Sequence, residues 1–113
     1  MFDSFCIEKI LAGEKTVTRR LLKVGGRRPA IPGTIHRLKV DRTPKVYGYI
    51  LINSCTPEIL GDIDDEEAKK EGFNNVQEYV EYFMDVNNLD IVTCHEPVWR
   101  VRFTLLPEEV YHE

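Results

Sequence analysis

The chain is expected to fold as a small α+β domain whose sheet, mixed or antiparallel, curls towards a barrel. Four short stretches rich in β-branched and aromatic residues are spread over its 113 residues. Two or three short amphipathic segments with capping residues lie among them. The two kinds do not alternate strictly, which argues against a parallel sheet wound on both faces by helices. The length suits one domain, residues 1–113, and neither a repeat nor a linker divides it.

Taken in order, Ser4 is placed to cap a first helix over about residues 5–12, with Ile7, Ile10 and Leu11 at helical spacing and Gly13 beyond its end. TVTRRLL, residues 16–22, reads as a strand. Its alternation puts Thr16, Thr18, Arg20 and Leu22 on one face and Val17, Arg19 and Leu21 on the other. KVGGRRPAIPG, residues 23–33, is a basic glycine- and proline-rich loop. TIHRLKV and VYGYILINS read as a second and a third strand, and VWRVRFTLL, after Pro97, as the last. Between them lies an acidic helical region. DDEEAKKEG has Asp64 as N-cap, Glu67 three positions on and Gly72 as its stop; NNVQEYVEYFMDV starts again at Asn75, with Glu78 three positions on. Val76, Tyr79, Val80 and Phe83 then form one apolar stripe.

No apolar run approaches the roughly 20 residues that span a bilayer, and MFDSFCIEKI lacks a signal-peptide pattern, so no membrane partner is expected. Cys6, Cys55 and Cys94 are odd in number and far apart, which speaks against a disulfide scaffold or an all-cysteine zinc site and for a reducing, cytoplasmic setting. Charge is uneven. Residues 1–53 hold 11 Lys and Arg against 4 Asp and Glu, and residues 54–113 hold 4 against 15. The first half therefore suits an anionic partner, nucleic acid foremost, unless the halves neutralise each other across the fold.

LAGEKTVTRR, residues 11–20, is either a solvated turn into a strand or the working end of a site. A threonine hydroxyl is a poor nucleophile until a base takes its proton, and a lysine becomes such a base when burial or cationic neighbours lower its pKa. Arg19 and Arg20 would act on Lys15 in that way and can also hold a phosphate or an oxyanion. A carboxylate from elsewhere is needed to relay protons. Lys15 and Thr18 share a face only if the strand begins after Lys15.

GEKTVTRR resembles the signature of the ASCH domain family, a branch of the PUA-like β-barrels. Gly13, Lys15, Thr18 and Arg20 take its places in order, and ILAG, the Pro32–Gly33 turn and the EGF segment at Glu71–Phe73 follow suit. The resemblance covers about residues 5–105 and implies a PUA-like curled barrel with two or three peripheral helices. ILAGEKTVTRR is similar to the core motif of the small N(4)-acetylcytidine amidohydrolases. That resemblance implies Lys15, Thr18 and Glu71 as the catalytic group, with no metal or cofactor, and hydrolysis of the acetyl amide of a modified nucleoside. The longer basic loop leaves room for a nucleotide or RNA as substrate or partner. A non-catalytic RNA-binding module is the alternative, and a ribonuclease a more distant one. No obligate protein partner is evident.

Arg19, Arg20, Tyr47 and Tyr49 are the candidate substrate-binding residues, the tyrosines as surfaces on which a base stacks. Trp99 is assigned to the core. Cys94, His95 and Glu96 resemble a ligand cluster, but adjacent residues rarely share one metal. His36 is read as a surface residue, and Asp62, Asp64 and Asp65 as helix-capping residues.

Overall fold

A computed structural model describes residues 2–40 and 42–107. Residue 41 and the two ends of the expected 1–113 domain, residue 1 and residues 108–113, lie outside the described residues. The first helix, α1 (Ser4–Leu11), is capped by Asp3 and not by Ser4, because the aspartate carboxylate accepts the Cys6 N–H at 2.8 Å. An anionic cap also suits the positive end of the helix dipole. The helix ends at Ala12, and Gly13 turns the chain with φ of +80°, a conformation open to glycine at little cost.

Four strands follow: β1 (Val17–Leu21), β2 (Ile35–Leu38), β3 (Gly48–Ile59) and β4 (Pro97–Leu105). They form one antiparallel sheet in the order β1-β4-β3-β2, curled into a half-barrel. The expected pairing of the basic strand with the closing strand is present, from Val17 opposite Arg102 to Leu21 opposite Val98. Pro97 opens β4 instead of preceding it; a first strand position tolerates its missing N–H.

β3 runs five residues past the expected stretch, to Ile59. The register against β4 slips between Ile52 and Ser54, so that Ile52 faces Phe103 while Ser54 faces Arg102. A bulge of this kind reverses which alternate residues point inward. Ile50 and Ile52 are buried before it, and Cys55 after it.

A single 3-10 turn at Leu60–Asp62 leads into α2 (Asp65–Lys70) and then α3 (Val76–Val86). Both N-caps lie where the sequence put them: Asp64 accepts the N–H of Glu67 at 2.9 Å, and Asn75 that of Glu78 at 3.0 Å. No helix among the described residues is long and apolar enough to cross a membrane.

The core has two layers. Ile10, Leu38, Ile50, Ile52, Val101 and Phe103 fill the hollow of the half-barrel, with Ala30 from the basic loop buried among them and Trp99 packed against them. Leu60, Ala68, Tyr79, Phe83 and Val98 join the helices to the sheet, with Leu21, Val76 and Val80 at the margin. The α3 stripe thus packs as its spacing predicted.

Candidate active site

β1 is an edge strand, and a cavity of about 150 Å³ lies against it. Thr18, Arg19 and Arg20 all line it. Successive strand residues point to opposite faces, so the cavity wraps the free edge of the sheet. α1 contributes Cys6, preceded by Asp3 and Phe2; α3 contributes Tyr79, Tyr82 and Phe83; Lys15 and Glu71 complete the wall. β1 begins at Val17, after Lys15. Lys15 therefore belongs to the turn, is free of strand alternation, and shares the cavity with Thr18.

Backbone hydrogen bonds hold that turn in place. Glu14 and Lys15 donate to the carbonyl of Lys9 at the end of α1, and Thr16 donates to the carbonyl of Lys70 at 2.8 Å. The second bond sets the end of α2 beside the start of β1. Gly72, at φ +95°, then turns the chain sharply away from α2. Its carbonyl is held by the Lys9 ammonium, which also lies over the rings of Phe5 and Phe73.

Glu71 is the centre of the site. Its carboxylate accepts from Lys15 Nζ at 2.6 Å through Oε1 and from Arg19 Nη1 at 3.0 Å through Oε2. The Tyr79 hydroxyl is also hydrogen-bonded to it. Lys15 and Glu71 are 2% and 1% exposed, which is unusual for such residues and tolerable here because each is paired. The ammonium has three donors, and its acceptors are Glu71 Oε1, the Val17 carbonyl at 2.9 Å and the Glu71 carbonyl at 3.3 Å. Thr18, at 9%, is the most accessible of the three expected catalytic residues.

Arg19 is clamped by three carboxylates. Nε meets Glu58 at 2.8 Å, Nη2 meets Glu67 at 2.7 Å and Nη1 meets Glu71. Burial alone would lower its pKa, but the hydrogen bond to Glu58 and the Glu71 charge outweigh that and hold it above its ordinary value. Arg100, opposite Arg19 on β4, also binds Glu67, at 2.7 Å. Those hydrogen bonds, Arg100's foremost, hold the Glu67 carboxyl far below its usual range against partial desolvation. Burial, reinforced by the charge of Glu71, pushes the Tyr79 phenol up, so it remains a protonated donor.

A second polar chain faces the cavity from α1 and α3. Tyr82 donates to Asp3 Oδ2 at 2.8 Å and lies 3.0 Å from Cys6 Sγ. A phenol has one proton, so Cys6 is the donor in that contact. Desolvation pushes the Cys6 thiol up, away from a reactive thiolate. Beyond Thr18 a smaller chamber of about 70 Å³ continues into the half-barrel. It shares Phe2, Thr18 and Arg20 with the first cavity and adds Pro29, Ala30, His36 and apolar core residues.

Lys15, Thr18, Arg19, Arg20 and Glu71 thus line one cavity, and Tyr47 and Tyr49 line neither chamber. Tyr47 is exposed just before β3, with the Lys45 ammonium over its ring, and Tyr49 sits within β3 opposite Arg37. His36, read as a surface residue, lines the second chamber. Glu58, Glu67, Arg100, Tyr79 and Tyr82 were missed as site residues. Glu67 was visible only as a capping partner and Tyr79 only as part of an apolar stripe; the acidic surplus of the second half was the one signal pointing to the two glutamates. Among the described residues no group of three His, Cys, Asp or Glu side chains could hold a metal ion.

The fold is that of an ASCH domain. The structure is similar to the ASCH domain from Lactobacillus crispatus JV V101, with a TM-score of 0.68 and 18% identity, over 89% of this chain and 70% of that one. It is also similar to a protein from Enterococcus faecalis V583 described by the family model DUF984, with a TM-score of 0.67 and 13% identity, over 88% of this chain and 65% of that one. The chain therefore spans less than two thirds of the length of the second protein. At such identities the likeness carries the architecture alone. No protein-family model and no curated protein matches the chain.

Proposed function

We propose that this ASCH-type fold carries an amidohydrolase that removes the acetyl group from N(4)-acetylcytidine or a related modified nucleoside. The observation that carries the reading is the buried contact of 2.6 Å between Lys15 Nζ and Glu71 Oε1, in a cavity that Thr18 also lines.

With their shared proton on Glu71, the Lys15 amine accepts the Thr18 hydroxyl proton as that oxygen attacks the acetyl carbonyl. Arg20 or a backbone N–H stabilises the oxyanion. Collapse breaks the C–N bond, and the leaving N4 amine takes the proton back from Lys15. Water then attacks the acyl-threonine with the same pair as base; the ester C–O bond breaks, the Thr18 oxygen takes that proton back, and acetate leaves. Arg19, held by three carboxylates, becomes in this reading a positioning residue that fixes Glu71, and Arg20 is the arginine that meets substrate.

Incubation of the protein with a panel of N-acylated and unmodified nucleosides, followed by chromatography, tests the reading. Acetate and cytidine should appear from the acetylated substrate alone. Thr18→Ala should lower turnover by about three orders of magnitude and leave nucleoside binding within a few-fold. An unchanged rate in that variant would remove Thr18 from the chemistry.

A second reading, an RNA-binding module without catalysis, is favoured by the exposed basic residues Arg27, Arg28, Arg37 and Lys45. It requires no acetate release from any substrate, tolerance of Thr18→Ala, and affinity that falls steeply with salt.

A further inference from the structure

We propose that the second chamber is the acyl pocket of this site, so that the preferred substrates carry an N4-acyl chain longer than acetyl, with the apolar wall setting its length. The direction of attack rests on the amidohydrolase reading; the fit of a short acyl chain to the chamber does not.

The register of the sheet puts Thr18 where the two spaces meet. Thr18 lies opposite Val101 across the β1–β4 ladder, and residues directly opposite share a face. Val101 belongs to the core that fills the half-barrel, together with Ile50, Ile52 and Phe103. Those four side chains, with Ala30 of the basic loop, are walls of the second chamber. Lys15, Glu71 and Tyr79 line the first cavity and not the second. A carbonyl carbon on the Thr18 oxygen therefore has the polar machinery on one side and an apolar recess on the other. Arg20 and Phe2 also border both spaces, the guanidinium 5.1 Å from the centre of the Phe2 ring. A cation at that boundary suits the carbonyl oxygen that joins the two halves of the substrate.

Size and polarity decide which half goes where. A dry cavity of about 150 Å³ holds a benzene ring, and the first cavity has that volume, about 150 Å³. A cytosine ring fits it in size, and the polar edge of the ring finds Asp3, Tyr82 and Asn87 in the wall. The second chamber, at about 70 Å³, is less than half as large. Its volume is that of roughly two waters at about 30 Å³ each, room for two or three carbon atoms and not for a ring. The methyl of an acetyl group leaves much of it empty, whereas an ethyl or propyl group covers its apolar walls. Besides Thr18 and Arg20 its polar wall is His36, half-buried on β2 opposite Ile50.

A series of N4-acylcytidines from acetyl through propionyl and butyryl to hexanoyl tests the assignment, with the released acid measured by chromatography. Each turnover consumes a water and yields cytidine and the carboxylic acid, whatever the chain. kcat/KM should rise about fourfold per methylene as far as butyryl and no further at hexanoyl. Val101→Ala, which widens the chamber opposite Thr18, should move the optimum to a longer chain, and Val101→Ile should move it back to acetyl. Ala30→Val narrows the same space from the loop and should act like Val101→Ile. The ratio of butyrate to acetate release within one preparation cancels any difference in folded fraction. A rate that is flat or falls from acetyl onwards, or an optimum that none of the three variants moves, overturns the proposal and leaves the amidohydrolase in place. Calorimetric titration of the Thr18→Ala protein with the same amides reads binding without turnover. Affinity that climbs to butyryl, and loses that climb when Val101→Ile is added, supports the pocket. With no acid released from any amide, that result would sink the hydrolase reading and keep the acyl pocket. Neither release nor chain-dependent binding would overturn both.

Discussion

Glu71 serves two cations and a phenol at once, and its substitution separates structural from chemical roles. Glu71→Ala leaves Lys15 and Arg19 buried without their shared counter-charge, and should cost about 3–5 kcal/mol of stability in urea denaturation. Glu71→Gln keeps the shape and one acceptor, and should cost less. It should nevertheless lower acetate release about a hundredfold or more, because an amide cannot take the Lys15 proton. A Glu71→Gln protein as active as the parent would end the proton-relay role. The motif made Lys15, Thr18 and Glu71 legible as a group. The task of Arg19 was not legible, because Glu58, Glu67 and Glu71 lie 39 to 52 residues away in sequence and only the fold brings them together.

Among the elements, the sharp features are where the chain comes too close to itself for a side chain. A Cβ on Gly61, in the turn after β3, would lie 2.4 Å from the carbonyl oxygen of Cys94. That backbone cannot swing aside, because the same oxygen accepts the Gly61 N–H at 2.9 Å. Gly61→Ala should destabilise by about 1–3 kcal/mol, read as a lower urea midpoint. Gly33→Ala, with nothing within 4 Å of its added methyl, bears only the cost of φ +87°, about 1 kcal/mol. Caps and stripes were readable because they are local: Asp64, Asn75 and the Val76–Phe83 face all came from spacing of three and four. Two features escaped that reading. β3 beyond Ser54 was hidden by the bulge and by a Thr-Pro pair that looks like a turn, and the cap of α1 fell to Asp3 because the aspartate precedes an equally plausible serine.

Across the whole molecule, part of the charge imbalance between the two halves is met inside the fold. Lys15 and Arg19 from the basic half pair with Glu58, Glu67 and Glu71 from the acidic half, and the loop arginines stay outside this exchange. The network sets the response to acid. Glu67 is held well below its ordinary 4.5, through Arg100 first and then Lys70 and Arg19, against burial. Asp3 is also held below its ordinary 3.8, since the Cys6 N–H and the Tyr82 hydroxyl outweigh its desolvation. A carboxyl with a depressed folded pKa contributes fully above its unfolded value and loses that contribution as pH falls through the folded one. The urea midpoint should therefore decline as pH drops below 4.5, and Glu67→Gln should flatten part of that decline. A midpoint equally steep in the variant would place the acid sensitivity elsewhere.

The three-way clamp on Arg19 also bears on how such a chain can diverge. No single change of charge at positions 19, 58, 67, 71 or 100 leaves the cluster balanced, so each costs stability unless another of the five changes with it. Descendants should therefore carry these positions as a linked set, inherited whole or exchanged together for apolar residues, and lineages that keep the set should be the ones that keep a lysine at position 15.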